Sequence, residues 1–135
     1  MLNFIQKTFL IALLGVLTLG YQAKAQKKEI SQAEGYLRRG DYQNLSLFFN
    51  NSVELNFDGA KKSYSKKQAV FVMKDFFSRN KPRPEGFENY HSGKSAGLSY
   101  SIVRYDSYNG SYRVFMKIKN YQGKHYIDAL DFTKE

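Results

Sequence analysis

Cysteine and tryptophan are absent from this chain, and its two prolines both fall in the stretch Pro82-Arg-Pro84. Without cysteine there is no disulfide, no thiolate metal site and no lipid-modified cysteine at an export cleavage site. With proline confined to one place, residues 80–86 are the one segment barred from helix or central strand, and they read as a linker. No glycine-rich phosphate loop follows a strand and no serine sits in a nucleophile elbow, so classical nucleophilic hydrolysis is not expected. The 2 histidines would need carboxylates from scattered strands to complete a zinc site, so neither a metal nor a cofactor is expected. Acidic residues are also scarce, 12 against 21 Lys and Arg, for a formal net charge of +9.

Long apolar runs are missing too, except at the start. Lys7 precedes a mostly apolar stretch over residues 9–19, and Ala23-Lys24-Ala25 follows it as a small-x-small site. The run is about 11 residues, against the ~20 a spanning helix needs, so a cleaved leader is expected rather than an uncleaved anchor. The expectation is a leader over 1–25, a single domain over 26–135, and an exported protein, periplasmic or secreted, with no stable membrane anchor. Lys7 and Lys24 leave with the leader, so 19 basic residues face 12 acidic ones and the charge becomes +7. That balance suits anionic surroundings such as a glycan, although a solvated basic surface is the plainer explanation. Export makes a nucleic-acid partner improbable.

What the chain does hold is aromatic: 11 Tyr and 11 Phe. Ile30, Ala33, Tyr36 and Leu37 fall at helical spacing and Gly40 stops that helix. Asp41 caps a second short helix, filled by Leu45, Leu47, Phe48 and Phe49, and Asn50-Asn51-Ser52 reads as the turn that ends it. Val53, Leu55 and Phe57 alternate as the inward side of a strand, Asp58-Gly59 turns it, and a short return strand runs over 61–64. Ser65 and Gln68 have capping-box spacing and open a helix over 66–79, with Ala69, Val72, Met73, Phe76 and Phe77 as its apolar face, broadened by Val70 and Phe71. Four strands follow, over 87–92, 97–107, 111–120 and 124–133, with turns at Asn109-Gly110 and Gln122-Gly123. Segregated helices and an antiparallel meander make an α+β domain.

Three segments carry a resemblance: Tyr64-Ser65-Lys66-Lys67-Gln68-Ala69 leading to Asp75-Phe76-Phe77, then His91-Ser92-Gly93-Lys94-Ser95, then Tyr112-Arg113-Val114-Phe115. With the element order, they resemble an uncharacterised family of small secreted Bacteroidetes-type proteins with a nuclear transport factor 2-like (cystatin-like) fold. The resemblance implies a cone in which N-terminal helices pack on a curved antiparallel sheet, together with export. It implies no catalytic role. Related cones pair through their sheets, so a homodimer is one possible assembly.

Candidate site residues follow from strand parity. His91 is placed on the side of Phe87 and Asn89, where a neutral imidazole in a pocket would shuttle a proton; a hydrogen-bonded structural histidine is the plainer reading. Asp128 falls with Tyr126, Leu130 and Phe132, and a carboxylate on that bulky face would have its pKa raised by desolvation. A bulge that reverses parity, or pairing with Arg113 or Lys117, would remove that role. Tyr100 would donate a hydrogen bond beside them. Tyr90, Tyr100, Tyr105, Phe115 and Tyr126 would line a cavity for a flat or apolar ligand, or simply fill the cone. Arg113, Lys117 and Lys119 share one parity, interrupted by Phe115.

The first reading is thus a non-catalytic accessory module that holds a small ligand or protein partner in the cone mouth or on its concave sheet. The second is an isomerase- or dehydratase-like enzyme with His91 or Asp128 as proton shuttle. The third is an electrostatic binder of anionic polymer.

Overall fold

The structure, a computed structural model, describes the backbone of residues 3–95 and 97–135, and leaves the side chains of residues 10, 12–26, 86, 87 and 95 outside the description. The apolar run and the cleavage site of the expected leader fall mostly on those side chains, as does Phe87. The chain divides into two compact units, Met1–Ser31 and Gln32–Glu135. Helix α1, Phe4–Arg39, begins in the first and ends in the second. Among the described residues no helix is long and apolar enough to cross a membrane.

Within the second unit α1 ends as its glycine predicts. Gly40 adopts φ +65, its N–H bonds the Leu37 carbonyl at 3.1 Å, and the Asp41 N–H bonds the Tyr36 carbonyl at 2.9 Å. That pair of bonds is a Schellman stop, which an L-side chain at position 40 would strain. Asp41 then caps α2, Tyr42–Ser46, by accepting from the Asn44 N–H at 3.2 Å.

The chain leaves α2 sooner than helical bulk suggests. Leu47 is exposed, and Phe49 opens strand β1, Phe49–Phe57, so the expected turn at residues 50–52 lies inside a strand. The cause is tertiary: the Ile127 N–H bonds the Phe48 carbonyl at 2.6 Å and Phe49 pairs with Ile127. Strand β2, Ala60–Ser65, returns antiparallel. Helix α3 spans Lys66–Arg79 with both halves of the Ser65/Gln68 capping box formed. Ala69, Met73, Phe76 and Phe77 are buried as its spacing predicts, but Phe71 is 64% exposed and does not broaden the packed face.

Strands β3 (Pro82–Ser95), β4 (Leu98–Ser107), β5 (Gly110–Tyr121) and β6 (Lys124–Lys134) complete a six-stranded sheet in the order β2-β1-β6-β5-β4-β3. Two expectations are corrected here. The sheet is mixed rather than antiparallel, because β1 lies parallel to β6. The proline stretch is not a linker but the start of β3, which tolerates proline because it is the edge strand. The β4–β5 turn is centred on Tyr108-Asn109, with Gly110 opening β5. Register breaks in β1/β6, β3/β4 and β5/β6 are bulges that bend the sheet.

One face of the sheet is the core. Val53, Leu55, Val103, Tyr105, Tyr112, Val114, Met116, Ile118, Ile127, Leu130 and Phe132 lie on it, all buried. Phe76 sits at its centre, with ring centroids 4.5 Å from Phe132, 5.0 Å from Phe57, 5.4 Å from Tyr112, 5.7 Å from Phe77 and 6.2 Å from Tyr105. Where α1 crosses this face, the Glu34 carboxylate accepts from Ser101 Oγ at 2.5 Å and Asn89 Nδ2 at 2.8 Å.

Tyr105 is 1% exposed, and its hydroxyl donates to the Asn80 carbonyl at 2.6 Å. Burial, followed by the neighbouring Tyr112, pushes its pKa above the ordinary phenol value. The folded pKa exceeds the unfolded one, so this contribution to stability is complete below about pH 10 and is lost as pH rises further. We expect the unfolding free energy of the protein to fall with pH above about 10, and the slope to flatten in Tyr105→Phe. Urea melts at several alkaline pH values read this directly, and an unchanged slope in the variant would rule Tyr105 out as the source.

Candidate functional site

The opposite face of the sheet is open, and it gathers most of the residues singled out above. On β4 it carries Tyr100, Ile102, Arg104 and Asp106, the alternates of the buried Ser101, Val103, Tyr105 and Ser107. On β5 it carries Arg113, Phe115, Lys117 and Lys119, the alternates of Tyr112, Val114, Met116 and Ile118. The shared parity of the three cations therefore puts them side by side on an exposed surface.

His91 reaches the same face through a bulge. Asn89 pairs with Val103 but His91 pairs with Ile102, so Tyr90 is the extra residue and parity reverses after it. His91 consequently does not share the side of Asn89, which points at Glu34 on the core face. Its Nε2 lies 3.0 Å from the Tyr100 hydroxyl, and the two rings are 5.6 Å apart. Tyr100 stacks on Phe115 across β4–β5, centroids 5.9 Å apart and planes 21° apart. Gly93, opposite Tyr100, is what lets the ring lie down on β3: a Cβ there would sit 2.8 Å from the Tyr100 hydroxyl and 3.0 Å from its Cζ. The bulge of β3 is at Tyr90, and Gly93 is a seat for an aromatic ring.

Asp128 is moved by a bulge as well. Lys117 pairs with Ala129 and Ile118 with Ile127, leaving Asp128 as the extra residue. The buried residues of β6 are thus Ile127, Leu130 and Phe132, and Asp128 is not on the core face. Its carboxylate lies 3.5 Å from Lys119 Nζ and 3.8 Å from Lys117 Nζ, and accepts from Asn50 Nδ2 at 3.4 Å. His91 and Asp128 stand on β3 and β6, three strand spacings apart, or about 14 Å. They do not converge on one substrate atom.

The proposed cavity lining separates in the same way. Tyr105 is in the core. Tyr126 is on the open face beside Tyr121, centroids 6.2 Å apart. Tyr90, 43% exposed, lies under the Arg113 guanidinium at 6.0 Å. Arg113 also pairs with Glu135 at 3.1 Å, and Arg104 with Asp106 at 2.9 Å. The Ser111 hydroxyl, then Arg104, hold the Asp106 carboxyl below the usual carboxylate range.

A separate open cleft of about 690 Å³ lies between α3 and the β1–β2 hairpin, walled by Phe57, Tyr64, Phe71, Val72, Arg79 and Tyr112. Its size is that of a small-molecule site, but none of the candidate residues line it. Among the described residues no three His, Asp or Glu side chains are grouped to hold a metal ion.

A mixed sheet bent by bulges, with α3 inserted between the β1–β2 hairpin and the four-strand meander, defines the nuclear transport factor 2-like class. A protein of that class and of unknown function from Silicibacter pomeroyi superposes with a TM-score of 0.58 at 13% identity, over 87% of this chain and 98% of that one. More narrowly, the family described as "Domain of unknown function (DUF4783)" matches residues 30–133, and the chain belongs to it. The DUF4783 protein of Bacteroides ovatus is 31% identical, with a TM-score of 0.70 over 75% of this chain and 90% of that one. Its counterpart from Bacteroides uniformis is 26% identical, with a TM-score of 0.70 over 75% and 92%. No curated protein matches this chain.

Proposed function

We propose that this DUF4783 domain is an exported, non-catalytic binding module whose working surface is the open face of the sheet. The observation that carries the reading is the fixed ring pair Tyr100–Phe115, seated on Gly93 and tied to His91, with Phe115 38% exposed. Rings held in place before a partner arrives lose little entropy on binding, which is the usual economy of a recognition surface. On the core face the candidate Tyr105 packs on Phe76, and the cleft that opens beside Phe76 is lined by none of the candidate residues. The leader pattern at residues 7–25 supports export as the setting.

Two measurements test the reading. Mass spectrometry of the protein recovered from a producing bacterium is expected to find Gln26 as the first residue. A photo-crosslinking amino acid at position 115 is expected to capture a partner in the cell, while the same probe at Lys74, on the outside of α3, captures none. Equal capture at both positions, or none at 115, would reject the open face as the working surface.

A further inference from the structure

We propose that the cleft between α3 and the β1–β2 hairpin is a binding site for a flat, uncharged aromatic molecule. The cleft lies on the core side of the sheet, and the proposal stands whether or not the open face takes a partner.

The cleft follows from how the two elements are built. Val53, Leu55 and Phe57 form the inward side of β1, and Tyr64, Lys62 and Ala60 stand opposite them on β2. Ala60 brings only a methyl to the hairpin tip, and Lys62 Nζ lies over the Tyr64 ring, 5.4 Å from its centroid. The tip is therefore thinly filled on the side of α3. On that helix Ala69, Met73 and Phe77 recur every four residues and are buried in the core. Phe71, Asp75 and Arg79 have the same spacing and form a second stripe, with Val72 beside it. This second stripe borders the cleft.

Apolar surface is the first argument. Phe57, Tyr64 and Val72 are half-buried and Phe71 is 64% exposed, so both walls present ring or alkyl carbon to water. Phe76 and Tyr112, both buried, close the inner end. Their planes stand 71° apart with centroids at 5.4 Å, while Phe57 stacks on Phe76 at 5.0 Å and 27°. Rings at such different inclinations let an aromatic ligand stack on one and meet another edge to face, the two arrangements that aromatic pairs favour. The volume of about 690 Å³ lies inside the ~300–1,000 Å³ of small-molecule sites.

Phe71 is the second. A single exposed ring is ordinary on a protein surface, but this one continues the apolar walls of a concavity. It contributes nothing to the core and gains a partner only when something lies in the cleft.

Charge is the third, and it sets the class. Four charged side chains border the cleft, Asp58 and Asp75 against Arg79 and Lys134, so the two signs balance. Asp75 pairs with Arg79, and the Asp58 carboxylate accepts from the Lys134 backbone N–H at 3.2 Å. At the inner end the Tyr112 hydroxyl donates to Asn80 Oδ1, and Asn80 Nδ2 to the Phe76 carbonyl, both at 3.1 Å. A charged ligand would give up hydration against aromatic walls and meet no excess of opposite charge in return. An uncharged aromatic one gives up little and covers the exposed carbon.

The test is titration of the purified protein with 2-naphthol near neutral pH, followed by amide shifts. Three analogues of similar size run beside it: anionic 2-naphthoate, cationic 2-naphthylmethylammonium and the saturated, non-planar 2-decalol. 2-Naphthol is expected to bind saturably, to shift the amides of Phe57, Tyr64, residues 71–79 and Tyr112, and to leave those of Tyr100 and Phe115 in place. The three analogues are expected to bind about tenfold more weakly or worse. Phe71→Ala is expected to weaken 2-naphthol binding about tenfold, Phe71→Tyr, which keeps a ring, to retain it, and Lys74→Ala, on the outside of α3, to leave it unchanged. No saturable binding, shifts confined to the open face, affinity indifferent to Phe71, or a preference for a charged analogue or for 2-decalol would each overturn the proposal. So would shifts at the cleft amides that grow with protein concentration alone, because they would put a second copy of the chain there.

Discussion

Phe76→Ala is expected to lower the unfolding free energy by about 3–5 kcal/mol, the range for removing a large aromatic ring from a core that cannot close over the gap. The ring is 6% exposed and touches five others, Phe57, Phe77, Tyr105, Tyr112 and Phe132, drawn from β1, α3, β4, β5 and β6. Collapse into the cavity would require several strands to move together, so relaxation recovers little. Total stabilities of about 5–15 kcal/mol make this a large fraction of the fold's reserve, and the melting temperature should drop by about 10–20 °C. Phe71→Ala is the matched control: same helix, same residue type, 64% exposed. It should change stability by less than about 0.5 kcal/mol. Equal losses in the two variants would mean that the hub is not where α3 is anchored.

Asn80→Ala is expected to cost about 2–3 kcal/mol, although no apolar packing is involved. Asn80 follows the last turn of α3 and is 7% exposed. Its Nδ2 donates to the Phe76 carbonyl at 3.1 Å, and its Oδ1 accepts from the Tyr112 hydroxyl at 3.1 Å. Removing the amide leaves the buried Tyr112 hydroxyl without that acceptor. The cost therefore belongs mainly to the stranded hydroxyl rather than to the lost bond. Tyr112→Phe should accordingly hurt much less in the Asn80→Ala background than in the parent. A double-mutant cycle by urea denaturation measures this, and strictly additive losses would show that the two side chains are not coupled.

Asn80 also marks a limit of reading along the chain. Beside two prolines it looks like the start of a linker, because its partners Tyr105 and Tyr112 are 25 and 32 residues away. Helix α3 is the opposite case. Its cap, its ends and its four fully packed residues were all legible, since a capping box and a 3.6-residue period are satisfied within one segment. The same holds for the Gly40 stop and the Gln122-Gly123 turn, where positive φ is a local requirement.

The candidate residues fared differently because each depended on counting by twos. The count is right along β5, where Arg113, Phe115, Lys117 and Lys119 stand on one face as their spacing indicates. It fails on β3 and β6, where Tyr90 and Asp128 are the extra residues of bulges. One inserted residue reverses every side chain beyond it. His91 and Asp128 therefore leave the cone interior for the open face, and Tyr100 joins them there while Tyr105 alone enters the core.

Local chemistry along this chain thus specified the Gly40 stop, both ends of α3, the alternation of β5 and the α+β class, because those features are settled within about ten residues by caps, glycine and periodicity. The parallel pairing of β1 with β6, the edge position of β3 and the two bulges belong to the sheet as a whole. They arise from hydrogen bonds between segments distant in sequence, for which no single segment carries a signal. Those long-range choices put His91, Tyr100, Phe115 and Asp128 on one face of the sheet and Tyr105 on the other.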